Sequence, residues 1–376
     1  MIAKPAQRQH PVPTLAQRIE NAAPTLFILP AVLVVLLLSI FPLVLSLYLS
    51  ISRVKLEPTG IKFNVVGLAN YAKFITGNEQ KVLVGTLASP TWLGWVIFAG
   101  VLASLAWSMV GFVRSNAANK LGGLISRTLN AVIFGGLTWL VVATIFSNGG
   151  RPGTLVVTLL YVAVGLTLQY CIGLGLALLC VQQLPGRRFF RIVFLLPMMI
   201  TPVGVGYLFR MLADTTKGPF TPMWQGLGLK DFSWASNAWG ARTAVMIGDV
   251  WQWTPFMFIV LVAALEAIPV EPYEAAQVDG ATPWQVFTHI TLPAIVPVSA
   301  TLILIRMIES FKIIDLPNIL TNGGPGTATE TLTLYAYRIW RANDWGGSAA
   351  LAYILLFLVT IFATSYANFV RSRVTE

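Results

Sequence analysis

Between Glu20 and Arg53 the chain carries no charged residue, and between Arg151 and Arg187 it again carries none. Runs of this length can cross a hydrocarbon core of about 30 Å, which takes roughly 20 helical residues. Inside lipid every backbone amide needs an internal partner, so such runs fold as helices. Eight apolar runs can be marked, at 26–50, 92–113, 128–147, 154–184, 192–212, 243–267, 294–316 and 348–370. The expectation is an all-α integral membrane protein of about eight transmembrane helices. Only 11% of the residues are charged, against roughly 25% in a soluble domain, so most of the surface faces something other than water. The net charge of +10 belongs to the ends of spans beside anionic lipid. No basic patch interleaved with aromatics points to nucleic acid. Cys171 and Cys180 sit about 13 Å apart along one helix, too far for a disulfide. The first run reads as a retained span rather than a cleaved leader.

The spans divide the chain. Residues 1–25 form a tail with Lys4, Arg8 and Arg18, expected to be cytoplasmic with a short interfacial helix near 14–21. Residues 26–50 are the first span, with Pro30 and Pro42 as kinks or ends. Residues 51–90 are an outer loop, 91–150 a transmembrane hairpin, 151–371 a core and 372–376 a tail. The short loops 114–127 and 187–191 are basic, and an even span count puts them on the side of both termini. The positive-inside rule makes that side cytoplasmic. Parity puts the loop 270–293 there too.

Several chemistries are absent. No GxxxxGK[ST] phosphate loop occurs and the dipeptide Gly-Lys is missing altogether. There is no HExxH, the only histidines are His10 and His289, and no nucleophile–base set or metal-ligand cluster is seen. The chain reads as a non-enzyme that holds no ATP.

Ionisable residues inside spans are expensive and mark function. On the sixth run Asp249, Gln252, Trp253 and Phe256 follow i, i+3, i+4, i+7 spacing and share one helical face. On the seventh, Arg306, Glu309, Ser310 and Ile313 do the same. A polar stripe with rings suits a sugar: Gln252, Arg306, Glu309 and Ser310 meet hydroxyls, and Trp253 or Phe256 stacks on the apolar face. The plainer reading has Arg306 and Glu309 as an i, i+3 pair that holds spans together.

Between these runs lies EPYEAAQVDGATPWQVFTHITLPAIVP, 271–297. Good helix formers at 274–277 precede Gly280, and Pro283 fits the first turn of a second short helix that should stop near Pro293. The pattern EAA…DGA with F..I.LP resembles the EAA loop of membrane-spanning subunits of ABC importers. Further on, TNGGPGTATETLTLYAYRIW at 321–340 resembles the outer loop of the sugar-type permeases, and GLANY at 67–71 their segment after the first span. The chain thus resembles permease subunits of the maltose and glycerol-phosphate type, over roughly 155–367 well and 31–67 weakly.

That resemblance implies the transmembrane domain of a type I ABC importer, with a six-helix core, a cytoplasmic EAA coupling helix, and the hairpin 91–150 as an insertion. It implies that Glu274, Ala275, Ala276, Asp279 and Gly280 meet an ATPase, and that Gly323, Gly324 and Pro325 meet a solute-binding protein outside. It aligns the family's sugar contacts with Gln252, Trp253, Phe256, Arg306, Glu309, Ser310 and Ile313; Asp249 joins them on helical spacing alone. The implied partners are a second homologous permease subunit, an ABC ATPase dimer that holds the ATP and Mg, an extracytoplasmic solute-binding protein, a sugar and the lipid bilayer. The implied place is the bacterial inner membrane, both termini cytoplasmic. Arg306 leaves the sugar's charge open, since it would also serve a carboxylate, phosphate or sulfonate. A different class, an ion-coupled secondary transporter relaying charge through Asp249, Arg306 and Glu309, has the EAA pattern against it.

Overall fold

A computed structural model of the chain describes residues 27–58, 60–114, 120–182, 185–228, 233–234 and 236–374. The expectations for the tail 1–25, for the tip 115–119 of the basic loop and for residues 375–376 lie outside the described residues.

The first span is α1 (Phe27–Ser50). It is followed by a hairpin of β1 (Ser52–Glu57) and β2 (Gly60–Val65), so the segment 51–90 begins as ordered structure. Two short helices follow, α2 (Ala69–Ile75) and α3 (Gln80–Val84). The strands β3 (Gly85–Thr86) and β4 (Arg151–Pro152) pair antiparallel. They close the base of a helical hairpin made of α4 (Trp92–Arg114) and α5 (Lys120–Ile145). Next come α6 (Thr154–Val181), α7 (Arg187–Met199) and α8 (Pro202–Leu212), then short α9 (Thr221–Gly226). The long α10 (Ala238–Glu266) leads to α11 (Glu271–Val278) and to α12 (Pro283–Ser310). After α13 (Asp315–Thr321) and α14 (Leu332–Arg341), the last span is α15 (Trp345–Val374).

Among the described residues seven helices are long and apolar enough to cross a membrane, with one bent pair besides. The bent pair corrects the expected single span at 192–212. α7 and α8 meet at 97°. The cause is local: Thr201 precedes Pro202, whose ring disfavours helical backbone at the preceding residue. Ile200 and Thr201 are accordingly extended, and the Thr201 side chain accepts from the Gly204 N–H (3.3 Å) to start α8.

Two further boundaries differ from expectation. The second helix of the 270–293 loop does not stop at Pro293 but runs on into α12. A π-turn at Phe287–Thr291 widens the backbone just before the proline, with the Leu292 N–H bonded to the Phe287 carbonyl. The turn shifts the hydrogen-bond register at the point where Pro293 has no N–H to give. At its other end α12 stops at Ser310 rather than near 316, which leaves Lys312 and Ile313 in a short link.

Apolar packing joins α6, α10 and α12 through Met257, Phe258, Leu261, Ile295 and Leu302, all buried. Gly173 makes the approach possible: a Cβ there would lie 2.6 Å from Met257 Cβ and 3.1 Å from the Phe258 backbone nitrogen. A second cluster, with Phe74, Phe311, Leu332 and Leu351, binds α2 and α14 to the start of α15. α1 rests on α15, where Tyr353 Oη donates to the Leu43 carbonyl (2.6 Å). The α4–α5 hairpin holds itself with Trp95, Phe98 and Trp139. It touches α15 through Phe134 and Phe362, ring centroids 5.0 Å apart.

Candidate functional site

At the meeting of α6, α10 and α12 lies a closed polar cluster. Arg306 donates from Nη2 to both Asp249 oxygens (3.0 and 2.9 Å) and from Nε to Gln169 Oε1 (2.8 Å). Gln169 Nε2 donates to Asp249 Oδ2 (2.7 Å) and lies 3.2 Å from the Asp249 carbonyl. One face of the guanidinium sits over the Trp253 ring, 4.5 Å from its centroid. All three polar side chains are buried, with Arg306 2%, Asp249 6% and Gln169 0% exposed. Charges are tolerated at such depth only when paired and hydrogen-bonded, and here each is. Gln169 was not anticipated from the sequence. Its signal was available: it is the one carboxamide in the whole of α6.

The other expected site residues are dispersed. Gln252 is buried and its Nε2 donates to the Ile200 carbonyl (3.3 Å) at the break between α7 and α8. Phe256 packs half-buried beside the α6–α10–α12 core. Ser310 is turned onto its own helix, donating to the Arg306 carbonyl (2.8 Å). Glu309 is exposed and pairs with Lys312 (2.7 Å) rather than with Arg306. Ile313, past the end of α12, packs against the buried cluster of Val245 and Leu316. The expected helical faces thus converge on Asp249, Trp253 and Arg306 but not on Glu309 and Ile313. The far side of α10 borders a groove of about 770 Å³ lined almost wholly by apolar side chains, Ile247, Trp251 and Phe258 among them.

The loop between α10 and α12 is a tight helix–turn–helix. Glu271 and Glu274 lie in the first turn of α11, where carboxylates favour the helix dipole. Glu274, Ala275, Asp279 and Gly280 are exposed, while Ala276 is buried. Gly280 has φ +70 and a Cβ there would meet nothing within 4 Å. The glycine is therefore required by its left-handed backbone, not by crowding. Thr282 and Gln285 then form a reciprocal capping box that starts α12. Val278 and Trp284, 88% and 72% exposed, flank the turn.

On the other end of α10, Arg242 is buried and donates from Nε to the Ala328 carbonyl (2.7 Å), which pins the turn 323–329. Gly323 is buried with φ +74 beneath Arg338; Gly324 and Pro325 are half-buried. Arg338 also bonds Glu330 (2.6 Å). Burial pushes the Glu330 carboxyl above the usual range, and Arg338 opposes this in part.

A bundle of apolar helices with a buried, internally paired polar centre and a capped helix–turn–helix between two spans defines a membrane permease. The chain belongs to the family of binding-protein-dependent transport system inner membrane components, whose model matches residues 169–375. It is 33% identical over 217 residues to the trehalose/maltose transport system permease protein MalF of Thermococcus litoralis, covering 58% of this chain and 74% of that one. It is 30% identical over 202 residues to the sulfoquinovosyl glycerol transport system permease protein SmoG of Agrobacterium fabrum, covering 54% and 66%. Among solved structures it resembles a chain of a bacterial alginate ABC transporter in complex with an alginate-bound periplasmic protein. The TM-score there is 0.60, with 96% of this chain and 98% of that one covered. At 18% identity that likeness speaks for the fold, which is that of an ABC importer's membrane domain.

Proposed function

We propose that this permease forms the path of an ATP-driven importer for a saccharide and couples it to a separate ATPase. The observation that carries the reading is the matched segment 169–375. It holds the polar cluster, the exposed turn at Gly280 and the pinned loop at Gly323, so one continuous stretch carries all three contacts an importer of this kind needs. The relatives over this stretch are named for trehalose/maltose and sulfoquinovosyl glycerol, which supports a sugar or sugar derivative as substrate. In this reading Glu274, Ala275, Ala276, Asp279 and Gly280 meet the ATPase, which holds ATP and Mg, and Gly323, Gly324 and Pro325 meet the binding protein outside. A second permease subunit completes the path, and both termini lie in the cytoplasm of a bacterial cell. Gln252, Trp253, Phe256, Asp249, Arg306, Glu309, Ser310 and Ile313 line or support the route, with Trp253 as the ring on which a sugar stacks.

The test is reconstitution of the chain with its partner permease, ATPase and binding protein in liposomes. Uptake of labelled sugar that needs both ATP and the binding protein is expected. Uptake by this chain alone, driven by a proton or sodium gradient, would instead establish a secondary transporter.

A further inference from the structure

We propose that Gln169 and Asp249 are specificity-determining residues that withdraw Arg306 from the substrate, so that this path takes uncharged saccharides and turns anionic ones away. The proposal rests on the saccharide reading above and narrows it.

Arg306 is the one cation that the helical-face pattern offers to an anionic sugar, and its Nη2 and Nε are committed internally. Its Nη2 is held by both oxygens of Asp249 and its Nε by Gln169. One ring face is covered by Trp253. Gln169 has no choice of orientation. Its Nε2 is spent on Asp249 at 2.7 Å, so its Oε1 must face Arg306. Asp249 supplies a full countercharge at 2.9 Å in a site with side-chain exposures of 2% and 8%. A carboxylate or phosphate on a sugar would have to displace an acid already seated there, at low dielectric, and leave that acid buried without its countercharge. Breaking a buried pair in this way is strongly unfavourable.

The end of α12 and the link after it add no free charge. The exposed charges next along the chain, Glu309 and Lys312, cancel each other at 2.7 Å. Asp249, Arg306, Glu309 and Lys312 together carry no net charge. An anionic sugar entering here gives up hydration for no countercharge. A neutral sugar gives up only hydroxyl–water hydrogen bonds, which uncharged donors and acceptors along the route can replace.

The test uses the assembled transporter, both permease chains with the ATPase, in nanodiscs. The binding protein is left out so that its own selectivity does not intervene. Saturation-transfer NMR reads weak binding of two matched panels: trehalose, maltose and maltotriose against digalacturonate and trigalacturonate. Wild type is expected to bind at least one neutral sugar and to show no competition by the uronates. The Asp249→Asn, Arg306→Gln double variant replaces the ion pair by two hydrogen-bonding amides. It removes the cation altogether and is expected to leave uronate binding absent, as in wild type. Asp249→Asn alone unmasks Arg306 and should raise uronate affinity about tenfold or more, the worth of one charge-assisted hydrogen bond. Asp249→Glu should restore the wild-type preference.

Uronate binding by wild type that vanishes in the double variant overturns the proposal while leaving the saccharide reading intact. Binding of neither panel to wild type overturns the saccharide reading and this one with it. If Asp249→Asn fails to assemble, wild type and the double variant still decide between the outcomes.

Discussion

Gly173→Ala adds one methyl where two spans touch, and its effect can be worked from the packing. The new Cβ would stand 2.6 Å from Met257 Cβ, 3.1 Å from Phe258 N and 3.3 Å from the Met257 carbonyl carbon. Carbon pairs are comfortable at about 3.5–4.0 Å, so α6 and α10 must part by about 1 Å. None of the three atoms is the free end of a flexible side chain, so no rotamer change relieves the clash. Overpacking of this kind costs about 1–3 kcal/mol. Gly175→Ala is the internal control, because a Cβ there meets nothing within 4 Å. It should be neutral, or stabilising by up to about 1 kcal/mol from helix propensity. Function should follow stability. Gln169 lies one turn before Gly173 on the same helix, and its bonds to Asp249 and Arg306, at 2.7 and 2.8 Å, do not survive a shift of that size. The assay is thermal unfolding of the assembled transporter followed by size-exclusion chromatography, with ATP-dependent uptake measured in parallel. Gly173→Ala should melt earlier and transport less than Gly175→Ala. Indistinguishable melting of the two would refute the close-contact argument.

Other perturbations separate the remaining parts. Glu274→Lys, and Gly280→Val at a backbone φ of +70, should abolish uptake while the chain still inserts and assembles. Normal ATP-coupled uptake in both would remove the coupling role of this turn. Asn70→Leu takes away a buried amide that donates to the carbonyls of Ser50 (2.8 Å) and Ser52 (2.9 Å). Leaving these unpaired should destabilise the end of α1 by about 1–3 kcal/mol, read as faster proteolysis of the β1–β2 hairpin. Burial raises the Asp344 carboxyl, but the Lys73 ammonium (2.8 Å) and the Gly347 N–H outweigh it, and the net direction is downward. A depressed carboxylate contributes stability that is complete above its unfolded value near 3.9. That stability is lost as pH falls through the lower folded value. Asp344→Asn should flatten the acid limb of a melting-temperature profile below about pH 4, and an unchanged limb would count against the Lys73 tether.

The spans were legible because the signal is physical and long-range: charge is absent for the thickness of a membrane. The turn at Gly280 was legible because its signals are local: Gly280 breaks one helix and Pro283 opens the next within a few residues. Three features were not. The 97° bend between α7 and α8 depends on one residue before one proline, and hydropathy averages over it. The passage of α12 through Pro293 depends on a π-turn, which no residue type specifies. The partners of Arg306 were out of reach because spacing reports neighbours on one helix only. Glu309 stood at i+3 in sequence, whereas Asp249 and Gln169 lie on other spans, 57 and 137 residues away. In a membrane bundle the electrostatic partner of a buried charge comes from across the helix interface, because desolvation is fullest there.

The continuity of α12 bears on how the proposed coupling would work. Trp284 at the turn and Arg306 in the cluster lie on one helix, about 33 Å apart at 1.5 Å per residue. No loop intervenes to absorb displacement; the weak points are the π-turn at Phe287–Thr291 and Pro297. A push on the Gly280 turn therefore arrives at Arg306 as motion of a rod whose two yielding points both lie in its half nearer that turn. At the far end the rod is held by Asp249 on α10 and Gln169 on α6, and α10 returns to the same turn through α11. The ion pair thus closes a loop of helices around the turn. Moving the turn must either carry α6, α10 and α12 together as one body or open the pair. Opening a pair this deeply buried costs several kcal/mol, whereas moving the three as a body leaves it untouched. The cluster favours concerted rocking of these spans over sliding of one against another. A disulfide bridging α6 to α10 would then leave uptake intact, because the two helices do not move relative to each other, and loss of uptake on oxidation would show that they do.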